Sequence, residues 1–320
     1  MSEEGKYVVI IGSSNMDLNI YSKRLPKPGE TVTGGTFKQF LGGKGANQAV
    51  ASARSGSNTI FIGKIGKDLF GEQMISKLKK EGINQDFIFI DPYEPSGVAF
   101  ILIDENGENM ISVAPGSYSK LSVAEIRSRS EIIRNATCIV VQMEIPIETI
   151  EEIFMIASKG KAIKILNPAP LKPIPTNILK NIDIIVPNEG ELYRLHSILG
   201  FVDNLKKGKV KMIQAAQDLC RLGIEFIIIT LGNKGCLIYN GNDNKHYEIP
   251  ALKVNAVDTV GAGDCFIGVL ASMLSKGKTI LDAVKYAVIA ASIAVTRKGA
   301  QESIPYIGEI ENKLKESNLL

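Results

Sequence analysis

The chain has 320 residues, of which 45% are hydrophobic and 22% are charged, a composition typical of a soluble globular protein. Its net charge is only +3 and tryptophan is absent, so the sequence offers neither the basic stripe nor the stacking aromatics that nucleic-acid binding needs. Scattered cysteines, no signal-peptide pattern and no apolar stretch long enough for a bilayer predict a cytoplasmic protein without a membrane partner.

Short runs rich in valine and isoleucine alternate with helical patterns, and their near-continuous hydrophobicity is typical of strands buried on both faces of a parallel sheet. Strands are predicted at 7–12, 59–66, 138–144, 163–168, 182–188 and 226–232. Helices are predicted between them at 45–56, 68–81, 122–134, 147–159, 189–199 and 211–222. Two long helices, at about 262–276 and 279–297, are predicted to close the chain. We therefore predict an α/β fold with a doubly wound, mostly parallel sheet sandwiched by helices.

Two segments, at about 16–41 and 96–114, interrupt this alternation. The first is extended, polar and rich in Pro and Gly, and the second alternates around an Asn-Gly turn signal. Both are predicted to be insertions that form a small β-sheet lid within a single domain spanning 1–320. Such a sheet has one face that no helix covers, so we expect it to close over a substrate or to pair with a second subunit. The apolar residues expected on it are Ile101, Ile103, Ile111 and Val113.

Polar residues follow several predicted strands, at the edge where open α/β sheets bind ligands. Asn15 and Asp17 come after the first strand, and in an extended chain their alternate spacing points both side chains the same way. GGKGANQAV, which lacks the Walker P-loop spacing, offers Lys44 and Asn47 to an oxygen-rich ligand. Glu144 ends an apolar strand, either as an exposed terminus or as a hydroxyl acceptor. Ordinary turn chemistry remains the alternative for the others.

Two later strand ends carry similar alternatives. Asn188 and Glu191, in PNEGEL, either cap the following helix or hold phosphate oxygens and hydrated Mg²⁺. TLGNKG, at 230–235, either binds phosphate through Thr230 and backbone amides or simply starts a hairpin. Together these polar sites predict an active site along one edge of the sheet.

The segment AVDTVGAGDCFIG combines a glycine-rich turn with the start of a long helix. Unpaired N–H groups and the helix dipole favour an anion at such a point. Asp264 directly follows Gly261, Ala262 and Gly263, which puts a carboxylate beside the anion site. This pairing suits phosphoryl transfer, where positioning and charge stabilisation dominate. A flexible turn capped by an aspartate is the alternative.

These motifs resemble those of the ribokinase-like family of carbohydrate kinases. GGKGANQAV matches the first signature of the family and DTVGAGDCFIG the second, and the resemblance covers roughly residues 7–305. Between and around them, GSSNMD, PGETVTG, NPAP, PNE, TLG and TRKGAQ occur in the matching order. PGETVTG, GGKGANQAV and TRKGAQ resemble the ribose-phosphorylating branch more than the fructokinase or adenosine kinase branches.

The resemblance implies ATP-dependent phosphorylation of the 5-hydroxyl of D-ribose, giving ribose 5-phosphate. It implies Asp264 as the catalytic base, with Gly261, Ala262 and Gly263 as the anion hole. The residues implied to hold ribose are Asn15, Asp17, Gly43, Lys44, Asn47 and Glu144. Those implied to contact ATP, with Glu191 placing Mg²⁺ through water, are Asn188, Glu191, Thr230, Gly232, Gly235 and Gly263.

The resemblance also implies activation by K⁺ and a homodimer in which lid sheets clasp each other. The implied K⁺ ligands, mostly backbone oxygens, are Asp258, Val260, Ala294, Arg297, Gly299 and Ser303. An aspartate that only braces the turn is the alternative for Asp258. Val288 stands where some members place a polar ring or amide near adenine, so an apolar adenine contact is expected.

Other functions stay open at this level. A sister kinase for 2-deoxyribose or another furanose or nucleoside would share these motifs. A non-catalytic sugar-binding regulator would be marked by loss of the aspartate or the glycine turn, and both are intact. A Rossmann oxidoreductase is disfavoured because no GxGxxG follows the first strand.

Overall fold

The computed structural model describes residues 5–201 and 208–317; the remaining positions of the predicted 1–320 domain lie outside the described residues. The strands are β1 (Val8–Ile11), β2 (Asn15–Tyr21), β3 (Thr36–Gly42), β4 (Thr59–Gly66), β5 (Ile88–Asp91), β6 (Gly97–Ile103), β7 (Asn109–Ala114), β8 (Cys138–Gln142), β9 (Ile163–Asn167), β10 (Ile184–Ile185), β11 (Phe226–Thr230), β12 (Cys236–Asn240) and β13 (Lys245–Ile249). The helices are α1 (Lys44–Arg54), α2 (Leu69–Lys80), α3 (Val123–Arg127), α4 (Ser130–Asn135), α5 (Ile147–Ala157), α6 (Thr176–Leu179), α7 (Glu189–Ile198), α8 (Lys209–Cys220), α9 (Ala262–Ser275), α10 (Ile280–Ala294) and α11 (Ile307–Glu316).

The large sheet has the order β13-β12-β11-β10-β9-β8-β1-β4-β5 in the described chain. Strands β11 through β5 in that order pair in parallel, and only β12 and β13 add an antiparallel edge. The predicted doubly wound, mostly parallel architecture is therefore confirmed.

Alternate residues of the central strand β1 enter two separate cores. Val8 and Ile10 pack with α1, α9 and α10 on one face, and Val9 and Ile11 pack with α5, α7 and α8 on the other. All four side chains are fully buried, and each contributes about 1.5–3 kcal/mol through removal from water. This two-sided burial explains why the strand is apolar at every position.

The predicted lid is also confirmed as a separate sheet, with the order β3-β2-β6-β7. Strand β2 pairs antiparallel with β3 and parallel with β6, and β7 pairs antiparallel with β6. A small cluster of Met16, Ile65 and Met74 fastens the base of the lid to β4 and α2. The outer strand β7 is exposed along its whole length.

Several predicted elements are wrong in extent. The strand at 182–188 shrinks to β10, because Pro187 lacks a donor and Asn188 already caps α7. The helix at 122–134 divides into α3 and α4, and the Ser128 hydroxyl donates to the Glu125 carbonyl at the break.

The prediction that two long helices close the chain is also wrong. The helix α11 follows them and buries Ile310 and Leu314, spaced four residues apart, in the same core as α10. None of the helices within 5–201 and 208–317 combines the length and hydropathy of a bilayer-spanning segment.

Candidate active site

The glycine turn before α9 forms the first part of the site. Gly261 caps the helix with φ of 74°, a left-handed conformation that glycine adopts without steric penalty. The Ala262 N–H already donates to the Thr259 carbonyl at 3.3 Å, whereas the amides of Gly263 and Asp264 have no acceptor among the described residues. Those two N–H groups, at the positive end of a helix of 14 residues, favour an anionic group in front of them.

The Asp264 carboxylate lies beside this turn and is held by two amide side chains from α1. Asn47 Nδ2 donates to Oδ2 at 2.9 Å, and Gln48 Nε2 donates to Oδ1 at 2.9 Å. Asp264 is only 8% exposed. A buried carboxylate with a donor on each oxygen is fixed in position and keeps further lone pairs for a hydroxyl proton.

Lys44 lies among several acidic side chains at the start of α1. The charge of Asp264 raises the pKa of Lys44 most, against the opposing effect of burial, and Glu144, Glu191 and Asp17 raise it further. Burial raises the pKa of Glu144, while Lys44 and the hydroxyl of Ser13, which donates to Glu144, oppose that shift. The Lys44 amide also donates to Glu144 at 3.2 Å. Lys44 therefore supplies the positive charge on which these carboxylates converge.

Asn15 and Asp17 reach the same region from the lid, within β2 rather than in a turn. They lie on one face of the strand, and Asn15 Nδ2 donates to Asp17 Oδ1 at 2.5 Å. Burial raises the pKa of Asp17 to about 6; the Asn15 hydrogen bond opposes this, and the charges of Glu144, Asp264 and Glu302 add to it. Asp17 is thus a carboxylate with more acidic neighbours than donors, which suits it to accept hydroxyl groups.

A polar cavity of about 160 Å³ lies in front of α9. Its lining includes Lys44, Asn167, Asn188, Glu191, Thr230 and Asp264. Asn188 and Glu191 also form a reciprocal cap at the start of α7, with bonds of 2.8 and 2.9 Å. Capping and cavity lining, posed as alternatives from the sequence, occur together because the cap holds both side chains at the cavity wall.

A larger cavity of about 770 Å³ adjoins the first, within the range of cofactor pockets. Thr230, Gly232 and Gly235 line it, and Gly235 also ends the turn that joins β11 to the antiparallel strand β12. Val288 on α10 contributes an apolar wall. Gly263 lines both cavities, so the glycine turn is their junction.

The residues implied to bind K⁺ meet beside this turn. Asp258 accepts the Val260 N–H at one oxygen and the Gly299 N–H at the other, both at 3.0 Å. The carbonyl of Ala294 accepts the Arg297 N–H at 3.0 Å, whereas the Arg297 guanidinium turns away to pair with Glu309. Ser303 lies in the same loop and donates to the Ala300 carbonyl. One carboxylate among backbone carbonyls is a donor set that suits a hard monovalent cation.

Sequence reasoning missed three amides of this site. Gln48, Gln142 and Asn167 are all buried and are connected to Asp264 by hydrogen bonds. The available signal was Gln142, a polar residue inside the otherwise apolar strand β8. Gln48 gave no such signal, because its partners are distant in the sequence.

The pfkB family carbohydrate kinase model matches residues 5–307. The chain is 38% identical over 309 residues to a ribokinase of Staphylococcus aureus, covering 95% of this chain and 98% of that protein. It is 36% identical over 309 residues to a deoxyribokinase of Salmonella typhi, with 96% and 98% covered. The chain is also 36% identical over 316 residues to a bifunctional ribokinase/ribose-5-phosphate isomerase A of Fructilactobacillus sanfranciscensis. The match covers 98% of this chain and 57% of that longer protein.

Solved structures give the same result. A ribokinase from Thermotoga maritima superposes with a TM-score of 0.88 at 36% identity, covering 97% of this chain and 99% of that one. A ribokinase from Arabidopsis thaliana, solved with ribose and ATP, superposes with a TM-score of 0.88 at 31% identity and the same coverage.

Proposed function

The chain belongs to the pfkB family of carbohydrate kinases, and we propose that it transfers the γ-phosphoryl group of ATP to the 5-hydroxyl of D-ribose, giving ribose 5-phosphate. The observation that carries this proposal is the position of Asp264. Its carboxylate lies at the wall of the small cavity, next to Gly263, which faces both cavities. A terminal phosphate that extends from the large cavity into the small one would meet a sugar hydroxyl from the lid side at this residue.

Asp264 accepts the proton of the attacking hydroxyl. Because the phosphoryl transition state is loose, orientation of the hydroxyl and late proton acceptance suffice for an aspartate. Within the glycine turn of Gly261, Ala262 and Gly263, the amides of Gly263 and Asp264 then stabilise the charge on the transferred group, because the Ala262 N–H already donates to Thr259.

The sugar is held between the lid and the start of α1. Its hydroxyls bond to Asn15, Asp17, Glu144 and Asn47, and Lys44 donates from the same side. Gly43 lets the start of α1 approach the backbone that leads into β2, because an added Cβ would come within 2.6 Å of Ser14 Cα. Asp17 and Asn15 belong to the lid, so sugar binding draws the lid toward Asp264.

The nucleotide occupies the large cavity, with its base against Val288 and its phosphates along Thr230, Gly232, Gly235 and Gly263, and the terminal phosphate reaches Asn188 at the small cavity. Mg²⁺ fits this site by its donor chemistry, because Glu191 offers one carboxylate beside the phosphate position and Mg²⁺ prefers few carboxylates plus water. When bound, Mg²⁺ neutralises charge on the phosphate oxygens.

A monovalent cation, K⁺, fits the donor set formed by Asp258 and the neighbouring carbonyls of Val260, Ala294, Arg297, Gly299 and Ser303. It would supply positive potential next to the anion hole. The residues themselves order the loop, because Asp258 ties the turn before α9 to the loop after α10.

We further propose a cytoplasmic homodimer. The lid face that carries Ile111 and Val113 is more than half exposed at both residues, and a twofold partner would bury it. Buried, unpaired cysteines at 138, 236 and 265 suit a reducing compartment.

Deoxyribose is the second candidate substrate, because a deoxyribokinase relative is nearly as similar as the ribokinases. The alternatives are separated by measuring ATP consumption with ribose, 2-deoxyribose, fructose and a nucleoside. Each measurement is made with K⁺ and again with an inert monovalent cation. We expect kcat/KM for ribose to exceed that for 2-deoxyribose by about tenfold or more, because a site built for a hydroxyl rejects an analogue without it. The reverse ratio would assign deoxyribose, and no turnover with any sugar would contradict the proposed reaction.

A further inference from the structure

Asp264 and three buried amide side chains form one hydrogen-bonded chain. Gln142 Nε2 on β8 donates to Gln48 Oε1 at 2.6 Å. Gln48 Nε2 donates to Asp264 Oδ1 at 2.9 Å and to Asn167 Oδ1 at 3.2 Å. Asn167 Nδ2 donates to the Val186 carbonyl at 3.1 Å. This hydrogen-bonded chain thus connects two strands of the large sheet, β8 and β9, and the residue that follows β10 to the carboxylate at the start of α9.

The donors and acceptors of these four side chains can be assigned in only one way. A carboxylate accepts and never donates when ionised, so the Gln48 NH₂ must face Asp264. The Gln48 oxygen then faces Gln142, which donates to it. If the Gln48 amide were turned over, its oxygen would face the Asp264 carboxylate and the Asn167 oxygen, and three favourable contacts would become repulsive. The arrangement therefore fixes the Gln48 amide in one orientation.

Tight helix packing fixes the position of Gln48 as well. Gly268 lies one turn after Asp264 on α9, and an added Cβ there would come within 2.3 Å of the Gln48 carbonyl oxygen and 2.5 Å of Ala51 Cβ. Only a glycine permits α1 and α9 to approach this closely. Gln48 is fully buried and lines neither cavity described above, so its contacts with Asp264 do not depend on ligand.

From these contacts we propose that Gln48 is a positioning residue, which fixes the plane of the Asp264 carboxylate through the buried amide chain. An aspartate turns freely about its last torsion unless both oxygens are bonded. Asn47 bonds one oxygen from the sugar side, and Gln48 bonds the other from the protein interior. The inference rests on the proposed role of Asp264 as base.

The direct test replaces Gln48 with methionine, which has a similar shape but no donor. We expect Gln48→Met to lower kcat by about tenfold or more while KM for ribose and for ATP changes less than about twofold. The acidic limb of the kcat–pH profile should move to higher pH, because a carboxylate that loses a donor binds a proton more tightly. A crystal structure of the variant should show Asp264 rotated from its present plane.

Ser52→Ala is the matched control. Ser52 lies one turn after Gln48 on α1, is fully buried and accepts from Thr59 Oγ1 at 2.9 Å, but does not touch Asp264. This variant should lower the melting temperature without moving kcat or its pH profile. If Gln48→Met keeps kcat within about threefold with an unmoved pH limb, or if Asp264 keeps its plane, the positioning role is overturned.

If Gln48→Met does not fold, Gln142→Met tests the positioning role of Gln48 instead. Gln142 touches Gln48 but not Asp264, and its own oxygen is buried without a partner, so the substitution removes little else. A fall in kcat of about threefold or more with the same pH shift supports the proposal, and an unchanged kcat overturns it. Wild-type protein that turns over no sugar would instead contradict the proposed function, and the rotation of Asp264 in the crystal would still test the positioning role.

Discussion

Asp264 and Asp17 face the same proposed sugar site from regions that are built differently. Asp264 begins a helix buried between α1, α10 and the large sheet, and amides hold both of its oxygens. Asp17 belongs to a four-stranded sheet that is fastened mainly by the small cluster around Met16, and within the described part of the chain Asn15 is its one side-chain donor. The proposed proton acceptor is thus fixed by the main fold, whereas the proposed sugar ligand lies on the smaller sheet.

The electrostatics follow the same division. Asp17 has an elevated pKa, near 6, because burial removes water and too few donors replace it. A sugar hydroxyl would supply the missing donor. The fold therefore gives each oxygen of Asp264 a donor, whereas Asp17 would gain its further donor from the proposed substrate.

The largest expected effect comes from removing the fixed carboxylate. Asp264→Asn should lower kcat by about a thousandfold, with ribose still bound, because the proton acceptor is lost and the binding groups remain. An asparagine also has only one acceptor, so Asn47 or Gln48 loses its partner and stability falls by about 1 kcal/mol. Turnover, ribose titration by calorimetry and thermal unfolding measure the three quantities.

Asp282→Asn is a suitable control, because Asp282 occupies the first turn of the next helix and its side chain is half-exposed. It should leave turnover unchanged. Near-normal kcat in Asp264→Asn would remove the base from the mechanism and with it the contrast between the two carboxylates.

The next largest effect is expected at Asp258, in the loop that leads into the turn before α9. Asp258→Ala should abolish activation by K⁺ and lower kcat by about ten- to hundredfold, because the turn before α9 loses its tie to Gly299. Arg297→Met is the matched control, since that side chain faces Glu309 and only the backbone oxygen is proposed to contact the cation. Loss of K⁺ activation in Arg297→Met but not in Asp258→Ala would contradict the proposed ligand set.

The region around Asp264 was also easier to predict from sequence than the lid. A fully apolar strand such as VVII has one explanation, burial on both faces, and the glycine turn before Asp264 is a local signal. The lid was predicted from its turn signals and from its interruption of the alternation between strands and helices. These features depend on neighbours in the chain, which a sequence displays directly.

What the sequence did not predict depends on contacts between distant segments. Gln48 and Asp264 are 216 positions apart, and nothing near Gln48 distinguishes it from a solvated helix residue. The length of β10 depends on the pairing of two residues between β9 and β11, which local hydrophobicity overestimates. Helix α11 has a clear apolar spacing, but its core partners lie on α10 and are visible only in the fold.

A smaller effect is expected at the lid carboxylate. Asp17→Asn should raise KM for ribose about tenfold and change kcat little, because one charge-assisted hydrogen bond is lost. The same variant should be more stable at neutral pH by about 1–2 kcal/mol. The native carboxyl has a raised pKa, so its ionisation destabilises the fold increasingly from about pH 4 to pH 6 and fully above that.

Unfolding at low and at neutral pH tests the sign of this effect. The variant and the wild type should be equally stable at about pH 3.5, diverge from about pH 4, and differ by the full amount above about pH 6. A variant that is less stable at neutral pH would mean that Asp17 is already satisfied without sugar, as Asp264 is.

The smallest effect on turnover is expected at the exposed lid strand, where Ile111 and Met110 are neighbours that point to opposite faces. Ile111 shares its face with Asp17, because β7 pairs with β6 and β6 with β2 in that register. Ile111→Asp should raise the dimer dissociation constant by about tenfold or more, measured by sedimentation, since it buries a charge at the proposed twofold contact. Ribose KM should rise only about two- to threefold, because the partner steadies the lid and does not complete the base. Met110→Asp should leave the dimer intact, and dissociation by Met110→Asp alone would place the contact on the opposite face of the lid.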